Sequence, residues 1–144
     1  MYRLPQMGHV YNYNDSEPFR GLTEEKKLVH RKLRLRNRAD FNRVYRYGKS
    51  FANRQLVVYY STRPEIERFR LGVSASKKIG NAVVRNRMRR MLKEIVRLHE
   101  PEIRDHLDLI LIVRNGAVGM EYKELEKSVL HVLRKAALLK PSGR

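Results

Sequence analysis

Residues 77–97, KKIGNAVVRNRMRRMLKEIVR, hold eight Lys and Arg against a single acid, Glu94, with apolar residues threaded between them. At about 100° per residue, Val84, Met88, Met91, Ile95 and Leu98 fall within about 40° of one direction, and Leu92 lies near 80°. Asn86, Arg89, Arg90, Lys93 and Arg97 gather on the far side, between about 140° and 240°, with Arg85 and Arg87 on the two flanks. A helix of this kind satisfies both halves only at the boundary of a domain, one stripe on a core and the other open. The spacing predicts a helix over 82–98, capped by Asn81, whose side-chain oxygen can accept from the first free amides, and stopped ahead of Pro101.

The flanking segments say what that helix packs on. QLVVYYS (55–61) is β-branched and aromatic with both faces apolar, and LDLILIV (107–113) is a continuous apolar run, so both read as strands, the second an interior one. FRLGVSAS (69–76) alternates: Leu71, Val73 and Ala75 point one way, and Arg70, Gly72, Ser74 and Ser76 form a nearly bare second face. A bare face admits either a close-packed helix or a ligand backbone, the former being commoner. A short helix is expected over 38–47, with Phe41, Val44 and Tyr45 on one side and Gly48 as its stop. A last helix is expected over 121–139, carrying Tyr122, Leu125, Val129, Val132 and Ala136. Asp105 and Asp108 read as turn or surface residues.

The order is helix, strands, basic helix, strand, helix: an α+β sandwich of helices on a small sheet. Segment 69–113 reads as a crossover between parallel strands, right-handed by the general rule. Residues 1–30, with Pro5, Gly8, Asn12, Asn14, Pro18 and Gly21, read as a disordered extension; 31–140 form the domain and 141–144 a tail.

Charge narrows the function. Thirty-two Lys and Arg against 15 Asp and Glu give +17, with a pI near 10.6. That self-repulsion is best relieved by a polyanion. No apolar run approaches a membrane span, no signal peptide is evident, and the chain has no cysteine, so a cytoplasmic protein without a membrane partner is expected.

The ordinary reading of a charge run is a solvated face, but such faces mix signs, and this one carries Glu94 alone. Its Arg residues suit two-pronged phosphate contacts, and Lys77, Lys78 and Gly80 precede a helix N-terminus that also favours an anion. Phe41, Tyr45, Tyr59 and Tyr60 are either core or rings on which unpaired bases stack. The five histidines lack metal-ligand spacing, and no nucleotide loop or catalytic carboxylate pair is recognisable, so no catalytic residue is assigned to this chain. A basic ribosomal or RNA-chaperone protein would share these features, and a DNA-binding regulator is a weaker alternative.

RNRADFNRVYRYGKSFANRQLVVYY followed by RLGVSASKKIGNAVVRNRMRR resembles the bacterial ribonuclease P protein subunit over residues 31–140, with KKIGNAVVRNRMRR matching the family's Arg-Asn-Arg helix. The resemblance implies a two-layer α+β sandwich of order α-β-β-β-α-β-α, similar to a ribosomal-protein fold, with a left-handed crossover in place of the right-handed one. It implies the small subunit of an endonuclease that removes the 5′ leader from precursor tRNA. The RNA subunit would carry the active site and its magnesium, and no protein partner is required. Lys77, Lys78, Arg85, Asn86, Arg87, Arg89, Arg90, Lys93 and Arg97 would face the catalytic RNA. Phe41, Tyr45, Val57 and Tyr59 would line a cleft for the single-stranded leader.

Overall fold

The computed structural model describes residues 10–11, 33–35 and 37–141. The disorder expected of residues 1–30 and the C-terminal tail lies outside these, apart from a two-residue strand β1 (Val10–Tyr11) and Pro141. The remaining elements are α1 (Arg38–Tyr47), β2 (Lys49–Ala52), β3 (Leu56–Thr62), β4 (Phe69–Ser74), α2 (Ala82–Leu98), β5 (Leu107–Val113) and α3 (Tyr122–Lys135). They form one mixed sheet ordered β1-β4-β5-β3-β2. β4 and β5 are parallel, in register from Phe69↔Leu107 to Ser74↔Ile112, and α2 crosses between them as expected; the other pairs are antiparallel.

Alternation along β3 and β5 splits the apolar residues between two faces. Leu56 and Val58, with Leu107, Leu109, Leu111 and Val113, join Met88, Leu92 and Ile95 of α2 and Leu125, Val129 and Val132 of α3 in the main core. Val57, Tyr59 and Ile110 point the other way, to Phe41, Val44 and Tyr45 of α1. The α+β class is that expected, and from α1 onward the elements run α-β-β-β-α-β-α, with the short β1 added ahead of them on the outer edge of β4. The two layers are the sheet with α2 and α3, and α1 covers part of the opposite face.

Two glycines let α1 come close. A Cβ on Gly72 would sit 2.5 Å from the Phe41 ring, so the bare face of β4 is filled by a helix. At Gly48 the chain leaves α1 in an extended conformation, its amide donating to the Val44 carbonyl at 2.9 Å. A Cβ there would lie 2.3 Å from the Tyr60 carbonyl oxygen, so the helix stop is set by close approach. Asn37 caps the other end, its side chain accepting from the Ala39 amide at 2.8 Å.

α3 ends four residues earlier than its apolar spacing predicts. Ala137 takes φ 60°, Ala137 N–H donates to Arg134 O at 3.0 Å, and Leu138 N–H donates to Leu133 O at 2.9 Å. This closes the helix in a Schellman turn with Leu138 folded back into the core. The position is usually glycine, so the sequence carried no stop signal there.

Asp108 departs furthest from expectation: it is 0% exposed. Arg70, its register partner on β4, donates to it through Nε at 2.7 Å and Nη2 at 2.8 Å, and Arg63 Nη1 donates at 3.1 Å. Both arginines also reach Asp40 in the first turn of α1, at 3.3 and 3.4 Å. Asp40 further accepts from Arg43 at 3.0 Å. The network lies on the face that α1 covers and ties its first turn to β4 and β5. Asp105 is a partly exposed partner of Arg68 and Lys140.

Candidate nucleic-acid interface

α2 has the predicted bounds, and the Asn81 side chain accepts from the Val84 amide at 3.1 Å. Its roll differs from the projection. The buried arc is Ile95, Met88, Leu92, Val96, Arg89 and Lys93, from about 20° to about 180° relative to Val84, whereas Val84 and Met91 are half-buried and Leu98 is exposed. Arg89 and Lys93, expected on the open face, are only 5% and 4% exposed. Their methylene stems can extend an apolar flank, which periodicity that counts them as fully polar does not foresee.

The exposed members are Lys77, Lys78, Asn86, Arg87 and Arg90. Lys77 and Lys78 stand on a short 3-10 turn, Lys77–Ile79, just ahead of the helix, its start capped by Ser76, which accepts from the Lys78 amide at 3.3 Å. Arg85 is half-buried and bends back to donate to the Gly80 carbonyl at 2.8 Å. Arg97 is committed to Glu94 through two bonds, at 3.1 and 2.5 Å. Asn86 accepts from Arg89. The open cations therefore concentrate on the helix's first half and the turn before it, where the dipole also favours an anion.

Phe41, Tyr45, Val57 and Tyr59 are brought together, with Leu35, Val44 and Ile110, in the cluster between α1 and the sheet. They are closed, at 2–6% exposure. Tyr45 meets Tyr59 edge-on, ring centres 5.1 Å apart and planes at 85°. The Tyr45 hydroxyl is buried without a hydrogen-bond partner, and burial, with Tyr59 beside it, pushes the phenol well above its ordinary range. These rings are packed as core, so bases reach them only if the cluster opens. Tyr60 lies on the other face, stacked on Phe51 at 6.2 Å.

Two groups were missed. His99 ends α2 and lies 3.0 Å from Glu102 and 2.7 Å from Glu126 on α3. Burial alone would depress its pKa, but the bonds to the two carboxylates outweigh it and raise it. Its partners are close in space and distant in sequence, so no local signal marked it. The other is Tyr47, 74% exposed at the end of α1, which lies off the apolar stripe that marks the helix.

An α+β domain that buries one side of a helix and exposes Lys77, Lys78, Arg87 and Arg90 along its first half and the turn before it presents a strongly cationic surface. The ribonuclease P family profile matches residues 29–137. Ribonuclease P protein components of Listeria innocua and Geobacillus thermodenitrificans are 44% and 45% identical, covering 76% and 79% of this chain and 92% and 94% of theirs. A Staphylococcus aureus RNase P protein structure superposes with TM-score 0.71 at 42% identity, covering 75% of this chain and 98% of that one. The Thermotoga maritima RNase P protein gives TM-score 0.66 at 28% identity, covering 71% and 96%. The chain belongs to the ribonuclease P protein family, and so is the protein subunit of a tRNA-processing ribonuclease.

Proposed function

We propose that this subunit binds the catalytic RNA through the start of α2 and holds the 5′ leader of precursor tRNA on the α1 side of the sheet, aiding removal of the leader. The observation that carries the reading is the run of exposed Lys77, Lys78, Arg87 and Arg90 around one helix N-terminus, flanked by no acid before Glu94. Binding there releases counterions from RNA and falls steeply with salt. Arg85 and Arg97 act as supports, one bracing the turn and the other held by Glu94. Arg89 and Lys93, on the buried flank of the helix, add positive charge behind the exposed cations without meeting phosphate directly.

On the other face, Phe41, Tyr45, Val57 and Tyr59, closed beneath α1, meet the bases of the leader when the cluster opens. Mature tRNA lacks a leader, so contacts made to it favour substrate over product. In this reading the RNA subunit binds the magnesium ions of the chemistry, and this chain supplies cations that hold phosphates nearby. No residue here is assigned a bond-breaking role.

Reconstitution tests the proposal. Added to ribonuclease P RNA at low magnesium, the protein should stimulate cleavage of precursor tRNA. RNA binding without stimulation would leave a ribosomal or chaperone-like protein instead.

A further inference from the structure

Tyr47, the last residue of α1, holds its ring strongly exposed, at 74%. It is followed in sequence by Gly48 and Lys49 and preceded by Arg46, all on the way from α1 into β2, and Arg46 and Lys49 are exposed too. The nearest helix acid, Asp40, is taken up by Arg43, Arg63 and Arg70. An open ring beside unneutralised cations has the two components that hold a single strand: a face for a base and charges for its phosphates.

Its position adds the third argument. β2 is the edge of the sheet, and its Ser50 and Ala52 pair with Tyr59 and Val57 of the closed cluster. Ser50 and Ala52 are half-buried and small, so they make a low shelf about one strand spacing, roughly 5 Å, beyond the rings. Tyr47 closes α1 two residues before β2 begins, so it stands at the sequence entry to this shelf.

We infer that Tyr47, with Arg46, binds an unpaired nucleotide of the leader farther from the cleavage point than those over the Phe41–Tyr59 cluster, Tyr47 stacking on the base and Arg46 meeting its phosphate. This rests on the proposed leader binding and names a further specificity-determining residue for it. Tyr47 serves substrate recognition and leaves the affinity for the catalytic RNA alone. Because its ring packs on little of the protein, its replacement spares the fold.

The test is affinity of the reconstituted holoenzyme for mature tRNA and for precursors with short, intermediate and long leaders, using wild type, Tyr47→Ala, Tyr47→Phe and Arg46→Ala. Wild type should bind more tightly as the leader lengthens. Tyr47→Ala should lose roughly tenfold on the long leader, the scale of one base-ring stack, and nothing on the shortest; Tyr47→Phe, which keeps the ring, should restore it. A wild-type gain with length that Tyr47→Ala retains overturns the inference while sparing leader binding. An equal loss on every RNA, including the catalytic subunit alone, also overturns it and moves the contact to that subunit. Wild type that does not distinguish precursor from mature tRNA removes the leader reading itself.

Discussion

Replacing Asp108 by Asn keeps the shape of the side chain and removes its charge, which isolates what the buried network contributes. Asp108 is 0% exposed and receives three charge-assisted bonds, at 2.7, 2.8 and 3.1 Å. Leaving buried arginines without their anion costs about 3–5 kcal/mol in a sealed site. Arg63 and Arg70 keep 15% and 21% of their side-chain surface, so water recovers part of that, and the Asn oxygen still accepts one bond. The expected loss is about 2–3 kcal/mol, or a Tm lower by about 9–13 °C for a domain of this size. Urea unfolding followed by circular dichroism should show the midpoint fall with the slope unchanged. Asp40→Asn is the internal control: Asp40 is 15% exposed, and its contacts to Arg63 and Arg70 are 3.4 and 3.3 Å, so it should cost less than about 1 kcal/mol. If Asp108→Asn came within about 1 kcal/mol of wild type, or no worse than Asp40→Asn, solvent would be screening the network and its anchoring of α1 would be refuted.

Tyr45→Phe removes a buried hydroxyl that lacks a partner, so it should leave stability unchanged or raise it by up to about 1 kcal/mol, and a clear drop in the urea midpoint would mean that the hydroxyl is bonded. His99 has a raised pKa in the folded state, so its bridge to Glu102 and Glu126 stabilises fully below its unfolded value of about 6.5 and is lost as pH rises through the higher folded value. Wild type should therefore lose stability between mildly acidic and alkaline pH by an amount that His99→Gln abolishes; identical pH profiles would show that the bridge is energetically silent. Arg87→Ala with Arg90→Ala should lower the magnitude of the salt slope of RNA affinity by about 2, one for each phosphate contact, and an unchanged slope would put the contacts elsewhere.

Much of the architecture could be read from local pattern. α1 and α2 have the expected bounds because caps and stops lie in their own sequence: Asn37 and Gly48 for one, Asn81 and the segment ahead of Pro101 for the other. The overrun of α3 has the converse cause, since Ala137 adopts a glycine-like turn that its side chain does not advertise. The interface was legible in kind and less so in detail. Periodicity could not tell that Arg89 and Lys93 lie on the buried flank, because the roll of a helix is set by its neighbours and long cationic side chains are apolar for most of their length. Likewise, the composition of Phe41, Tyr45, Val57 and Tyr59 suited either a core or a stacking surface, and only the close approach of α1 at Gly72 distinguishes them. Asp108 was misjudged because its partners, Arg70 and Arg63, are 38 and 45 residues away.

That aspartate also answers a question posed by the strand it occupies. β5 is apolar on both faces, and a strand of that kind could slide by one residue against β3 and β4 and bury nearly as much hydrocarbon. After such a slip the Asp108 carboxylate would enter the leucine-rich side beneath α2 and α3, away from Arg63 and Arg70, and Leu109 would be set against Arg70. The penalty falls on the wrong alignment and not on the native one. A single charge thus gives phase to a run of residues that otherwise has none, and it fixes which side chains of β5 face α1 and which face α2 and α3.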